Sequence, residues 1–111
     1  MNSTKLADTL ALIISLLSRR AFDELYHLDR NKRLLPQELA GSIDEYGGEV
    51  TPPKPLIWNY DFYPIDGTED VFVDCDLFID YQLSDLTLQC LMHEESQEGR
   101  YAFSIQNIHV M

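Results

Sequence analysis

The stretch Val71-Phe72-Val73-Asp74-Cys75-Asp76-Leu77-Phe78-Ile79-Asp80 decides the fold. Val71, Val73, Cys75, Leu77 and Ile79 make one apolar row, with Phe72, Asp74, Asp76, Phe78 and Asp80 in the gaps between them. Period-two alternation sends the two rows to opposite faces of a β-strand, one against a core and one toward water. After a break at Tyr81-Gln82-Leu83-Ser84 the apolar row resumes as Leu86, Leu88, Cys90 and Met92. Asp85, Thr87, Gln89 and His93 fall on its other face. A polar hairpin from Glu94 to Gly99 follows, and then a last strand on Tyr101, Phe103 and Ile105. Its apolar phase slips around Gln106-Asn107 to Ile108 and Val110, as a β-bulge would make it do.

Upstream of this sheet the pattern changes. Trp58, Tyr60 and Phe62 alternate with Asn59, Asp61 and Tyr63, so a first strand runs from about residue 57 to 63 and ends in the turn Pro64-Ile65-Asp66-Gly67. Thr51-Pro52-Pro53-Lys54-Pro55 reads as a stiff extended connector. Before it, spacing of three and four takes over. Leu6, Leu10, Ile13, Ile14 and Leu17 mark a helix to about Ser18, capped by Ser3 or Thr4. A short second helix covers about 20–28, and a third starts at Pro36 and stops at Gly47-Gly48. The expected fold is α+β: three N-terminal helices packed on a four-stranded antiparallel meander. One domain covers 1–111, with a helical half at about 3–47 and a β half at about 56–111.

Charge separates the halves more sharply than structure does. The chain carries a formal net charge of -11, with 45% hydrophobic and 24% charged residues. Through Lys54 bases nearly balance acids; from Pro55 onward Arg100 is the only base among eleven carboxylates. A field this negative repels nucleic acid and anionic membranes, and it suits a basic protein partner. The run 6–17 lacks a charged start and a small-residue cleavage site, and it is too short to span a bilayer, so it reads as a core helix. Cys75 and Cys90 take inward strand positions without a CxxC pattern, which points to a reducing cytoplasmic location. With the hairpin turn centred on Gln82-Leu83, Cys75 lies across from Cys90. Buried free thiols are then commoner than a cross-strand disulfide.

The acidic face is the leading candidate site. Asp74 and Asp76 project from one face about 7 Å apart, and Asp61 and Tyr63 extend that surface if the two strands are neighbours. Asp80 continues the row, and Glu94 and Glu95 form a second acidic group in the hairpin. Like charges held close cost stability without a structural need, which favours binding over architecture. Aromatic rings among the carboxylates, Phe78 and Tyr63 above all, supply desolvated anchors for an interface. An aspartate pair also suits magnesium or calcium, but no EF-hand spacing supports a metal site, and no cofactor is expected. For catalysis the only combination is His93 with Asp74 or Asp76, and no nucleophile pattern accompanies it. No catalytic residue is assigned.

A small, strongly acidic, cofactor-free α+β domain of this kind resembles the immunity proteins of contact-dependent growth inhibition and related bacterial toxin systems. The stretches Ser84-Asp85-Leu86-Thr87-Leu88 and Ile105-Gln106-Asn107-Ile108-His109-Val110-Met111 are also similar to the end of an uncharacterised family of small bacterial α+β proteins. The first resemblance implies one-to-one binding of a cognate basic toxin domain, a nuclease with a ribonuclease favoured, whose cleft the acidic surface covers. No enzyme activity, direct nucleic-acid binding or membrane contact is implied. A sheet curled around the first helix, similar to cystatin-like or nuclear-transport-factor-like folds, is the preferred topology. The alternative is a small pocket-bearing enzyme or ligand-binding domain inside such a curl. It calls for a deep cavity lined by His93 or His109 and a carboxylate.

Overall fold

Three helices precede an antiparallel sheet in the computed structural model, which describes residues 2–54, 58–97 and 99–110, and the backbone alone of 94–97. Helix α1 (Ser3–Ser18) starts at Asn2, whose side-chain oxygen accepts the Lys5 N–H at 3.0 Å. The cap therefore sits one residue before the expected Ser3 or Thr4. Leu6, Leu10, Ile13, Ile14 and Leu17 are buried, as their helical spacing requires. Helix α2 (Phe22–Leu28) is short, and α3 (Pro36–Tyr46) begins with the proline in its first turn. Glu38 accepts the Leu35 N–H at 3.0 Å there, and Gly47 ends the helix at φ 94°.

The sheet contains five strands: β1 (Val50–Thr51), β2 (Tyr60–Pro64), β3 (Val71–Ile79), β4 (Gln82–Gln97) and β5 (Arg100–Val110). β2, β3, β4 and β5 form the expected four-stranded meander, and β1 is added beside β2 along the same edge of β3. Val50 pairs with Ile79, and Tyr60 through Pro64 pair with Cys75 through Val71. The edge strand is thus broken in two by the proline-rich connector. Two residues of alternation carry no readable period, so β1 was not expected. Gly48, at φ 88°, allows it to close: a Cβ there would lie 2.6 Å from the Ile79 methyl carbon Cγ2. The expected first strand starts later than anticipated, at Tyr60, and its Ile57 lies outside the described residues.

Three differences in the meander alter the candidate site. First, the β3–β4 turn is Asp80-Tyr81, both at positive φ (49° and 67°), with Ile79 paired to Gln82. Two residues in that conformation make the tight hairpin that the strand twist favours. Cys75 consequently pairs with Leu88 and Cys90 with Val73, so the cysteines are offset along the sheet, and both are free. Second, β4 bulges at 84–86 opposite Leu77, held by Ser84 Oγ, which donates to the Leu77 carbonyl at 2.7 Å. Third, β4 continues to Gln97, so Glu94 and Glu95 are strand residues rather than a loop. They form the register shift between the pairs His93–Ala102 and Ser96–Tyr101. The expected bulge in β5 is present at Gln106.

One core lies between the helices and one sheet face. It gathers Leu6, Leu10, Ile13 and Leu17 of α1 with Leu25, Leu39 and Ile43 of the shorter helices. The sheet contributes Val73, Cys75, Leu88, Cys90, Phe103 and Ile105. These are the inward rows read from the sequence.

Candidate functional site

Residues paired across antiparallel strands share a face, so the register lays out the face turned away from the helices. Asp70 lies at the position opposite His93, whose other neighbour is Ala102. The next row is Tyr63, Phe72, Leu91 and Ser104; the next is Asp61, Asp74, Gln89 and Asn107. The last is Asp76, Thr87 and His109. Carboxylates therefore gather on the β2–β3 side, and neutral polar groups on the β4–β5 side.

Each β3 carboxylate is met by a β4 side chain. Gln89 Nε2 donates to Asp74 Oδ1 at 2.9 Å, and Thr87 Oγ1 donates to Asp76 Oδ1 at 2.9 Å. These donors are neutral: they orient the carboxylates without cancelling their charge, and leave further acceptor positions on each group. Asp61 is exposed directly beside Asp74. Among the described residues none of Asp61, Asp74 and Asp76 has an ion pair. Tyr63 is 51% exposed next to half-buried Phe72. The strip is a set of pre-oriented negative groups with an aromatic ring at its margin.

Four candidate residues lie outside the strip. Phe78 is 1% exposed, paired between Thr51 and Leu83, and cannot anchor a partner. Asp80 belongs to the hairpin turn, where its Oδ1 accepts the Glu49 N–H at 3.1 Å and its own N–H donates to the Glu49 carbonyl at 2.9 Å. Its work is to fasten β1 to the turn. Glu94 and Glu95 sit at a bulge beyond the end of β3, away from Asp74 and Asp76.

His93 does not meet Asp74 or Asp76. Its Nε2 is 2.8 Å from Ser104 Oγ, and its Nδ1 is 3.2 Å from Asp70 Oδ1, off the line of a hydrogen bond. The order resembles a hydrolytic relay, but Ser104 is fully buried and His93 is 4% exposed. The neighbouring Ile105 N–H, a natural oxyanion donor, is taken by Asp29 Oδ2 at 2.9 Å. With both groups buried and that N–H occupied, the His93–Ser104 hydrogen bond reads as a structural contact beside Asp70. The sequence hid it because Asp70 lies outside the strand pattern and Ser104 is one neutral residue in an apolar run.

Elsewhere, a half-open hollow of about 480 Å³ is lined by Glu45, Tyr46, Leu86 and His109 among others. Tyr46 Oη donates to Asp85 Oδ1 at 2.8 Å, and that hydrogen bond raises the phenol's pKa above its ordinary value. Burial pushes the Cys75 thiol up to about 11, against a smaller opposing pull from the Trp58 Nε1–H, which lies 3.4 Å from its sulfur. Cys90 is pushed up further by complete burial. Neither thiol has the thiolate character of a nucleophile or redox centre. Among the described residues no helix is long and apolar enough to cross a membrane, and no three His, Cys, Asp or Glu side chains gather as a metal-holding group.

The family model described as a domain of unknown function (DUF7668) matches residues 14–111. No curated protein and no solved structure matches the chain.

Proposed function

This chain belongs to the DUF7668 family, and from the site alone we propose that it is an immunity-type inhibitor of a basic toxin domain, with a ribonuclease the favoured target. The observation that carries the reading is the β2–β3 strip, where Asp61, Asp74 and Asp76 stand together unneutralised while Gln89 and Thr87 hold two of them in place. A nuclease cleft is built to receive phosphates. Fixed carboxylates at strand spacing compete for the same cationic side chains, and their prior ordering lowers the entropy lost on binding. Tyr63 supplies the apolar contact at the margin, in place of Phe78. A cleft covered one to one admits no substrate, so the inhibitor needs no chemistry of its own. Such an inhibitor acts in the cytoplasm, before the toxin reaches its substrate.

The test is capture from lysate of the source cells on the tagged protein, at low and then high salt. The expected result is one basic domain, retained in equal amount, whose nuclease activity falls when this protein is added. Charge reversal in Asp74→Lys/Asp76→Lys should weaken that complex by about 2–5 kcal/mol. A complex indifferent to both salt and the double variant would sink the reading. The hollow beside Glu45 and His109 favours a second reading, a small-ligand domain. A ligand screen that raises the melting temperature through residues of that hollow, with empty capture beads, would select it.

A further inference from the structure

Beyond the charged face, β2 presents an edge that no described residue pairs with. β2 pairs with β3 on one side, and among the described residues nothing pairs with its other side. The phase of the ladder follows from one hydrogen bond. The Ile65 N–H donates to the Asp70 carbonyl at 3.1 Å, and in an antiparallel pair the bonded positions alternate. Asp61 and Tyr63 therefore turn their backbone groups toward β3, and Tyr60, Phe62 and Pro64 turn theirs outward. Pro64 agrees with this phase, because a proline within a sheet must keep its missing N–H on the free side. The outward edge presents N–H and C=O at Tyr60 and Phe62, with the Phe62 ring 48% exposed on one face and Tyr63 51% exposed on the other.

We infer that the edge of β2 receives an extended basic segment of the protein partner as an added antiparallel strand, its backbone pairing with Tyr60 and Phe62 and its cationic side chains lying toward Asp61 and Asp74. The inference rests on the inhibitor reading for the sign of the partner's charge. Charge also chooses between occupants. Asp61, Asp66 and Glu69 surround this edge, and the sequence from Pro55 to Gly99 contains no Lys or Arg. A second copy of the chain would bring the same carboxylates against one another and is repelled. A segment alternating cationic and neutral residues puts its charges on one face, beside the carboxylates, while main-chain bonds hold it and Phe62 and Tyr63 flank it.

The probe is a capped peptide of about eight residues alternating lysine and threonine, long enough to span β2. Its counterpart has the same sequence with alternate amides N-methylated, which keeps the charge and removes edge pairing. Binding is read by fluorescence anisotropy, and edge pairing by amide hydrogen exchange on the whole chain. The expected result is slowed exchange at Tyr60 and Phe62 with Asp61 and Tyr63 unchanged, and binding about tenfold weaker for the N-methylated peptide. Phe62→Pro, which removes an outward N–H together with the ring, should weaken binding of the unmodified peptide by clearly more than Phe62→Ala, which removes the ring alone; equal weakening by the two variants overturns the added strand. Equal binding of the two peptides without protection at Tyr60 and Phe62 overturns the added strand while leaving the acidic face as the inhibitor's surface. Protection of those amides without peptide, growing with protein concentration, overturns it in favour of self-pairing. Absence of peptide binding overturns it as well, and the lysate capture then judges the inhibitor reading separately.

Discussion

The two outer edges of the sheet are finished in opposite ways. Along β5 the helical half supplies a partner at nearly every turn of the strand. Tyr101 N–H donates to Thr9 Oγ1 at 2.9 Å, Arg30 N–H to the Phe103 carbonyl at 2.9 Å, and Ile105 N–H to Asp29 Oδ2 at 2.9 Å. Arg33 Nε adds a bond to the Gln106 carbonyl at 3.3 Å. Asp29, 3% exposed, also accepts the N–H groups of Asn31 and Lys32, so one buried carboxylate ends α2's loop and seals the edge together. β2 has no such cover among the described residues. It is short, broken from β1 by prolines, and guarded by Asp61 and Pro64, devices that discourage pairing with a like chain. A closed edge serves the fold; a guarded open one can serve a partner of opposite charge.

Substitutions on the closed edge should cost the most. Asp29→Ala strips the acceptor from three backbone N–H groups, one of them in the buried β5 ladder, and should destabilise by about 3 kcal/mol or more in urea denaturation. A loss under about 1 kcal/mol would mean that water replaces the carboxylate and that this edge is not sealed.

A proline scan of β2 comes next in size and sharpens the contrast within one strand. Tyr63→Pro removes an inward ladder bond and should cost about 2 kcal/mol, whereas Phe62→Pro, on the outward phase, should stay within about 1 kcal/mol of the parent. A larger loss at Phe62 than at Tyr63 would show that the ladder phase is the reverse of the one drawn from Ile65 and Asp70.

The last prediction concerns the thiols, whose effect is confined to alkaline pH. Because the folded Cys75 pKa is raised to about 11, the folded state keeps a proton that the unfolded chain gives up near pH 9. The stability that Cys75 contributes in this way is complete below pH 9 and is lost as pH climbs from 9 to 11, by about 1.4 kcal/mol per unit at the steepest, and Cys90 adds a loss in the same direction. Alkylation at pH 8 should therefore be slow at both cysteines, and slower at central Cys90 than at Cys75 beneath the Trp58–Tyr60 pair beside the open edge. Mass spectrometry of timed samples reads both rates. Faster modification of Cys90 would show that the centre of the sheet is more accessible than the β2 side.

Most of the architecture was legible because it is local. Spacing of three and four around Leu10 and Ile13, and of two around Val73 and Cys90, reports which side of each element meets the core, whatever that core turns out to be. The acidic face was legible for the same reason: Asp74 and Asp76 share a strand, so their common face needs no knowledge of the neighbours. The misplacements all occur where alternation breaks. Phe78 and Asp80 follow the period in the sequence, but beside the register shift at Leu77 the first is buried, and the second falls in the Asp80-Tyr81 turn.

By itself, then, the sequence determined the α+β order of elements, the inward rows and the concentration of negative charge in the β half. Only the tertiary structure decided which edge is closed, which carboxylates stand together and with which donors they bond. Those outcomes depend on contacts between residues far apart in the chain, 92 positions for Thr9 and Tyr101 and 76 for Asp29 and Ile105. A bulge or a turn shifts such contacts by whole residues while leaving composition and local period almost unchanged.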